Sequence, residues 1–128
     1  MGLASILIIS AALQLVVVPG KPAIEGIWRG QSSCTRKESA CRDETVVYRF
    51  SPLRDKPGSF SVSADKIVDG KSVNMGILEF HYVEDQQALV CKYVEGVWRL
   101  TLDGSKMGGT LTRPDGTLFR RVLLHKEQ

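Results

Sequence analysis

From Glu44 onward the chain is cut at short intervals by turn signals, and the runs between them alternate apolar and polar residues with a period of two. The breaks are a Pro- and Gly-containing stretch at 52–58, Asp69-Gly70, Glu84-Asp85-Gln86, Glu95-Gly96, Asp103-Gly104 and Pro114-Asp115-Gly116. The last is the strongest, because proline presets φ and glycine accepts positive φ. Alternation of this kind sends every second side chain to one face of an extended strand and is out of step with a helix. Short connections also force consecutive strands to lie antiparallel, because parallel neighbours need a long crossover.

The pattern predicts eight strands, at about residues 24–32, 44–51, 59–67, 72–83, 87–94, 97–102, 107–112 and 117–126. In the second, Val46, Tyr48 and Phe50 share a face opposite Thr45, Val47 and Arg49. In the third, Phe60, Val62 and Ala64 oppose Ser59, Ser61 and Ser63. The fourth sets Leu78, Phe80 and Tyr82 against Glu79 and His81, and the sixth aligns Trp98, Leu100 and Leu102. Eight such strands can close on themselves and remove both edges. The expected fold is therefore all-β, an eight-stranded antiparallel up-and-down barrel, with an open sandwich as the alternative. Strand alternation puts the loop after strand one and the turns at Asp69-Gly70, Glu95-Gly96 and Pro114-Asp115-Gly116 at one end, the open end of such a barrel.

Residues 3–18 form a nearly continuous apolar run, broken only by Ser5, Ser10 and Gln14. Its length suits the h-region of a secretory signal better than a membrane span, which needs about 20 apolar residues. No Lys or Arg precedes it, and cleavage after Gly20 or Ala23 is crowded by Pro19 and Pro22. The expectation is a signal peptide over 1–23, with an uncleaved anchor or a folded helix as alternatives, followed by one domain over 24–128. Export to a periplasmic or extracellular compartment follows, with membrane contact only through an uncleaved leader. In an oxidising compartment Cys34 and Cys41 are expected to bridge, which leaves Cys91, inside an apolar strand, as a buried inert thiol.

The segment Gly26-Ile27-Trp28-Arg29-Gly30, placed at the start of the first strand, resembles the opening of the calycins: lipocalins, fatty-acid-binding proteins and the avidin type. In lipocalins a basic side chain from the final strand packs across the tryptophan. The resemblance implies that role for Arg120 or Arg121, and position selects Arg121. Guanidinium stacked on an indole face is physically sound, since its donors still reach carbonyls. Gly26, Trp28, Arg121, Cys34 and Cys41 are thus the expected structural residues. The lipocalin Thr-Asp-Tyr element, the helical lid of fatty-acid-binding proteins and their carboxylate-binding Arg-x-Tyr are absent, so no ligand carries over. The same opening also resembles nitrobindin-type haem barrels, which place a ligating histidine near the C-terminus, where this chain has His125.

No catalytic constellation is legible. There is no GxSxG elbow, no CxxC or HxxxH pair, and Gly108-Gly109 lacks the Lys-Ser/Thr of a phosphate loop. The net charge of +3 is dispersed rather than striped, which argues against nucleic acid. His81 reads as a surface residue. The aromatic side chains on the inward faces are the stronger lead: Tyr48, Phe60, Phe80, Tyr82, Tyr93 and Trp98. A barrel of eight strands is either just filled by such residues or holds one small ligand. The expectation is an exported binding module for a small apolar ligand, without catalysis, metal or cofactor. The alternatives are a protein-interaction or inhibitor module presenting Arg36, Lys37 and Glu38 on the Cys34–Cys41 loop, and a haem barrel using His125.

Overall fold

The computed structural model describes residues 2–5, 7, 23–36 and 40–128. Most of the expected leader, and Lys37 and Glu38 of the cysteine loop, lie outside them. Eight strands are formed: β1 (Gly26–Cys34), β2 (Glu44–Pro52), β3 (Ser59–Val68), β4 (Lys71–Val83), β5 (Ala88–Tyr93), β6 (Gly96–Asp103), β7 (Lys106–Thr112) and β8 (Leu118–Lys126). Each pairs with its sequence neighbours, and β8 returns to β1 to close an antiparallel barrel. The first strand starts two residues later than the alternation suggests and runs on to Cys34. Ile24 is buried beneath the barrel without joining a ladder. Residues Glu84–Gln86 form one turn of 3-10 helix.

Closure depends on Gly30. A Cβ at that position would stand 1.8 Å from the carbonyl oxygen of Leu123, so only a residue without a side chain lets β8 lie against β1 there. In the resulting register Trp28 faces Lys126, Gly30 faces Leu124 and Cys34 faces Arg120.

The closed half of the barrel is solid. Trp28, Phe50, Leu89, Leu100, Met107 and Leu124 are almost wholly buried there. Trp28 donates its indole N–H to the carbonyl of Ile24 at 2.9 Å, which satisfies its one polar atom inside the core. Phe50 meets it edge-on, with ring centroids 6.4 Å apart. The cation over the indole is Lys126, whose Nζ lies 5.8 Å from the ring and donates to the carbonyl of Ala23 at 2.6 Å. Arg121 does not take this place. It pairs with Ser33, five positions up β8 from Lys126 and so roughly 16 Å away along the strand. Val122 and Leu124 point inward, so alternation turns Arg121 out to solvent.

Cys34 and Cys41 are joined by a disulfide, with Cα atoms 6.1 Å apart, and Cys91 is free and buried. The loop they close is tied down at its root. Cys34 N–H donates to the Asp43 carboxylate at 2.8 Å, and the Thr35 hydroxyl donates to the Leu118 carbonyl at 2.7 Å.

Trp28→Ala is expected to destabilise the protein by about 3–5 kcal/mol in urea unfolding, because it empties the plug of the closed end. Lys126→Ala should cost only about 0.5–1 kcal/mol, the range of a partly solvated cation–π contact. Arg121→Ala should stay within about 0.5 kcal/mol of the parent. Replacing both Cys34 and Cys41 by Ser should lower stability by about 2.5 kcal/mol, the chain-entropy value for so short a ring. Thiol titration of the parent should find one thiol, Cys91, and only after denaturation.

Candidate functional site

The open half of the barrel is not filled. It encloses a cavity of about 370 Å³ whose two sides differ in chemistry. Ser32, Glu44, Tyr48 and Arg120, from β1, β2 and β8, make a polar wall. Val62, Ala64, Met75, Ile77, Leu78 and Phe80, from β3 and β4, make an apolar wall. Tyr93, Glu95, Trp98, Leu111 and Phe119 complete the circuit. An adjoining recess at the rim is formed by Glu95, Leu111, Arg113, Pro114 and Phe119.

Two β-bulges shape this lining. Between β3 and β4, Ala64 pairs with Gly76 and Asp65 with Asn74, so Met75 is an extra residue on β4. Gly76 sits at φ +116°, a backbone conformation that side chains disfavour. The bulge sets Met75 beside Gly76 at the cavity; Ile77 and Leu78, back in regular pairing with Ser63 and Val62, border it as well. The bulge is fixed from outside. The Asp65 carboxylate accepts from Arg49 Nη1 at 2.7 Å, Asn74 Nδ2 at 2.9 Å and the Ser72 hydroxyl at 3.2 Å. Asn74 in turn accepts the Gly76 N–H at 3.0 Å. Between β7 and β8, Leu111 pairs with Arg120 and Thr112 with Leu118, which leaves Phe119 as the extra residue. Phe119 and Arg120, adjacent in sequence, therefore both line the cavity. Arg113 stacks on the Phe119 ring at 4.0 Å.

Both terminal nitrogens of the Arg120 guanidinium are engaged by the protein. It donates to the Ser32 hydroxyl at 3.1 Å and carbonyl at 3.3 Å, to the Arg42 carbonyl at 3.1 Å and to the Glu44 carboxylate at 3.4 Å. Both members of this ion pair are largely shielded from solvent. Tyr48 stands beside them. Burial, reinforced by Glu44 and opposed by Arg120, pushes its phenol well above the ordinary tyrosine range, so it remains a neutral hydroxyl. Tyr93 is raised by burial and then by Glu95, to which its hydroxyl donates at 3.4 Å. Cys91 is raised by burial and then by Glu79, which keeps the thiol protonated and a poor nucleophile.

Of the six aromatic residues expected at a ligand site, Tyr48, Phe80, Tyr93 and Trp98 line the cavity. Phe60 and Tyr82 do not. They pack against the core lower in the barrel, where Phe60 pairs with Pro52 and Tyr82 with Leu89. Alternation assigns a side chain to the inside of a barrel but not to a height within it. Met75 and Phe119 escaped the pattern because bulges break the period that reveals inward residues. His125 is exposed on the outer face between Arg29 and Lys106, and His81 is exposed with its Nδ1 3.2 Å from the Ser59 hydroxyl. Neither faces the cavity, so the haem alternative lacks its iron ligand.

The sequence matches no protein-family profile and no curated protein sequence. Comparison with solved structures finds the siderocalin Ex-FABP, which functions through dual ligand specificities. The superposition covers 81% of this chain and 73% of that one, with a TM-score of 0.57 and 15% sequence identity. The fold is lipocalin-like.

The Asp65 cluster makes the β4 bulge sensitive to acid. Hydrogen bonds from Arg49, then Asn74, hold this carboxyl below its usual range. Its contribution is present above the unfolded value of about 3.9 and is lost as pH falls through the lower folded value. Urea midpoints measured from pH 7 down to pH 2 should therefore drop on the acid side for the parent. Asp65→Asn should start lower at pH 7 and fall less steeply, the residual slope coming in part from Asp115, whose carboxyl is also held down by Thr117.

Proposed function

We propose that this protein is an exported binding module that holds one small apolar or amphipathic molecule in the open half of its barrel and carries out no reaction on it. The observation that supports this reading is the cavity itself. Its volume of about 370 Å³ lies within the range of small-molecule pockets, and it is mostly apolar with a few convergent polar groups. The lipocalin-like fold agrees with a binding role. Export agrees with the apolar leader sequence and with a disulfide, which persists in oxidising compartments. The absence of a catalytic role rests on the chemistry of the lining: Arg120 is paired, Tyr48 and Tyr93 are held protonated, and neither histidine nor cysteine is among the lining residues.

The chain's two tryptophans give a direct assay. Trp98 lines the cavity, whereas Trp28 is sealed in the core below it. Titration with an uncharged apolar fluorescent probe such as N-phenyl-1-naphthylamine is expected to change Trp98 emission. Trp98→Phe should abolish that change while leaving probe enhancement. Ala64→Phe, which fills the cavity from β3, should weaken probe binding at least about tenfold, since the pocket would lose much of its space. An unchanged affinity in a folded Ala64→Phe protein would place the probe elsewhere and remove the support for this function.

A further inference from the structure

The exposed apolar side chains of the barrel gather on one side of it. Among the described residues from Ala23 onward, seven large ones are exposed, and five of these, Val68, Val73, Met75, Ile77 and Val94, lie on β3, β4 and the β5–β6 turn. Their exposure runs from 42% at Val73 and Met75 to 90% at Val94, so each leaves a large apolar area in water. The five border one opening. β4 and β5 pair only through His81–Val90, Tyr82–Leu89 and Val83–Ala88, and continuing that register sets Val94 level with Ile77. β5 ends at Tyr93 while β4 runs on to Lys71, so the β3–β4 hairpin overhangs its neighbour. Met75 and Ile77 also line the cavity, which therefore opens onto this stripe. An apolar stripe beside a pocket marks an interaction face rather than ordinary surface.

Charge decides what the face meets. Lys66 and Lys71 stand beside the hairpin's valines and Lys92 precedes the β5–β6 turn, with Asp69 and Glu95 as the acidic residues among them. Glu79, further down β4, is paired with Lys56, and Asp65 with Arg49. The whole barrel has the same polarity. Counted over the connections, the chain termini and the three strand residues next to each, the described part of the open end carries seven basic and five acidic side chains, and that of the closed end four and six. A second copy on this face would bring two positive surfaces together, whereas an anionic surface complements it.

We propose that the face formed by Val68, Val73, Met75, Ile77 and Val94 docks on an anionic lipid bilayer and sets the side opening of the cavity against the lipid. Apolar side chains set among lysines suit the boundary between headgroups and acyl chains, and lysines near that surface are drawn to anionic lipid. The free edge of β4 meets water and headgroup oxygens at that depth, which the hydrocarbon core would deny it. The face is separate from the leader, through which alone the sequence predicts membrane contact. The proposal extends the binding function above: an apolar ligand passes between bilayer and cavity without crossing water.

An environment-sensitive fluorophore on Val94→Cys in the full disulfide-bonded chain tests the docking, since native labelling spares the buried Cys91. At about 0.1 M salt its emission should shift to the blue on vesicles of phosphatidylcholine containing about one part in three phosphatidylglycerol, and at least about tenfold more lipid should be needed without phosphatidylglycerol. The same label on Leu123→Cys, exposed on β8, should not shift, which separates docking of this face from insertion of the leader. Lys66→Glu with Lys71→Glu should raise the lipid needed at least about tenfold, and so should Val68→Asp with Val73→Asp. None of these four residues lines the cavity, so both double variants should bind N-phenyl-1-naphthylamine as the parent does. No shift at position 94, an equal shift at position 123, or unaltered lipid dependence in both double variants overturns the docking and leaves the binding function standing. A shift that appears without vesicles as protein concentration rises, together with a dimer in sedimentation, gives the face to a second copy and also overturns it. A parent that docks but binds no N-phenyl-1-naphthylamine removes the binding function and keeps the docking.

Discussion

The approach of β8 to β1 at Gly30 is the contact on which the rest of the structure depends. The Leu123 carbonyl occupies the volume that any side chain at position 30 would need, so the sheet closes there by backbone against backbone. Closure at that height sets the register. Register puts Lys126 over Trp28 at the base and Arg120 opposite Cys34 at the rim. The two basic residues thereby acquire different tasks from the same strand. One covers the plug and ties it to the Ala23 carbonyl; the other reaches inward and holds Glu44 and the root of the cysteine loop.

That division splits the barrel interior into a packed half and a hollow half. Large side chains from six strands, Trp28 among them, converge there and are almost wholly buried. Nearer the other rim the same eight strands diverge from ideal pairing. Bulges at Met75 and Phe119 change the local curvature and reset which residues point inward, and the ladder between β4 and β5 runs only from Val83 to His81. The cavity is a consequence of these irregularities. Its stability as an open space rests on the outer-face cluster around Asp65, which holds one bulge in place, and on Arg113 stacked against Phe119 at the other.

The polar wall is tied into the barrel itself. A guanidinium with four protein acceptors around it acts as a structural brace, with Glu44 and Glu95 in the same lining and Arg113 at the rim. Tyr48, held as a neutral phenol by burial, belongs to the same wall.

The sequence by itself determined the strand count, the antiparallel order, the disulfide and the burial of Cys91. Each of these follows from local rules: period-two alternation, short turn chemistry, and cysteine spacing within one loop. It also identified Trp28 as the anchor of the closed end and four of the aromatic residues that line the cavity. Only the tertiary structure decided which basic residue meets Trp28, because that depends on the stagger between the first and last strands, and no local pattern encodes the stagger of strands nearly a hundred residues apart. Height within the barrel was likewise invisible, which is why Phe60 and Tyr82 read as site residues and pack as core. Met75, Ile77 and Phe119 reached the cavity through bulges and a frayed ladder. Those features arise where closing the barrel conflicts with regular pairing, and a conflict of that kind exists only once all eight strands are in place.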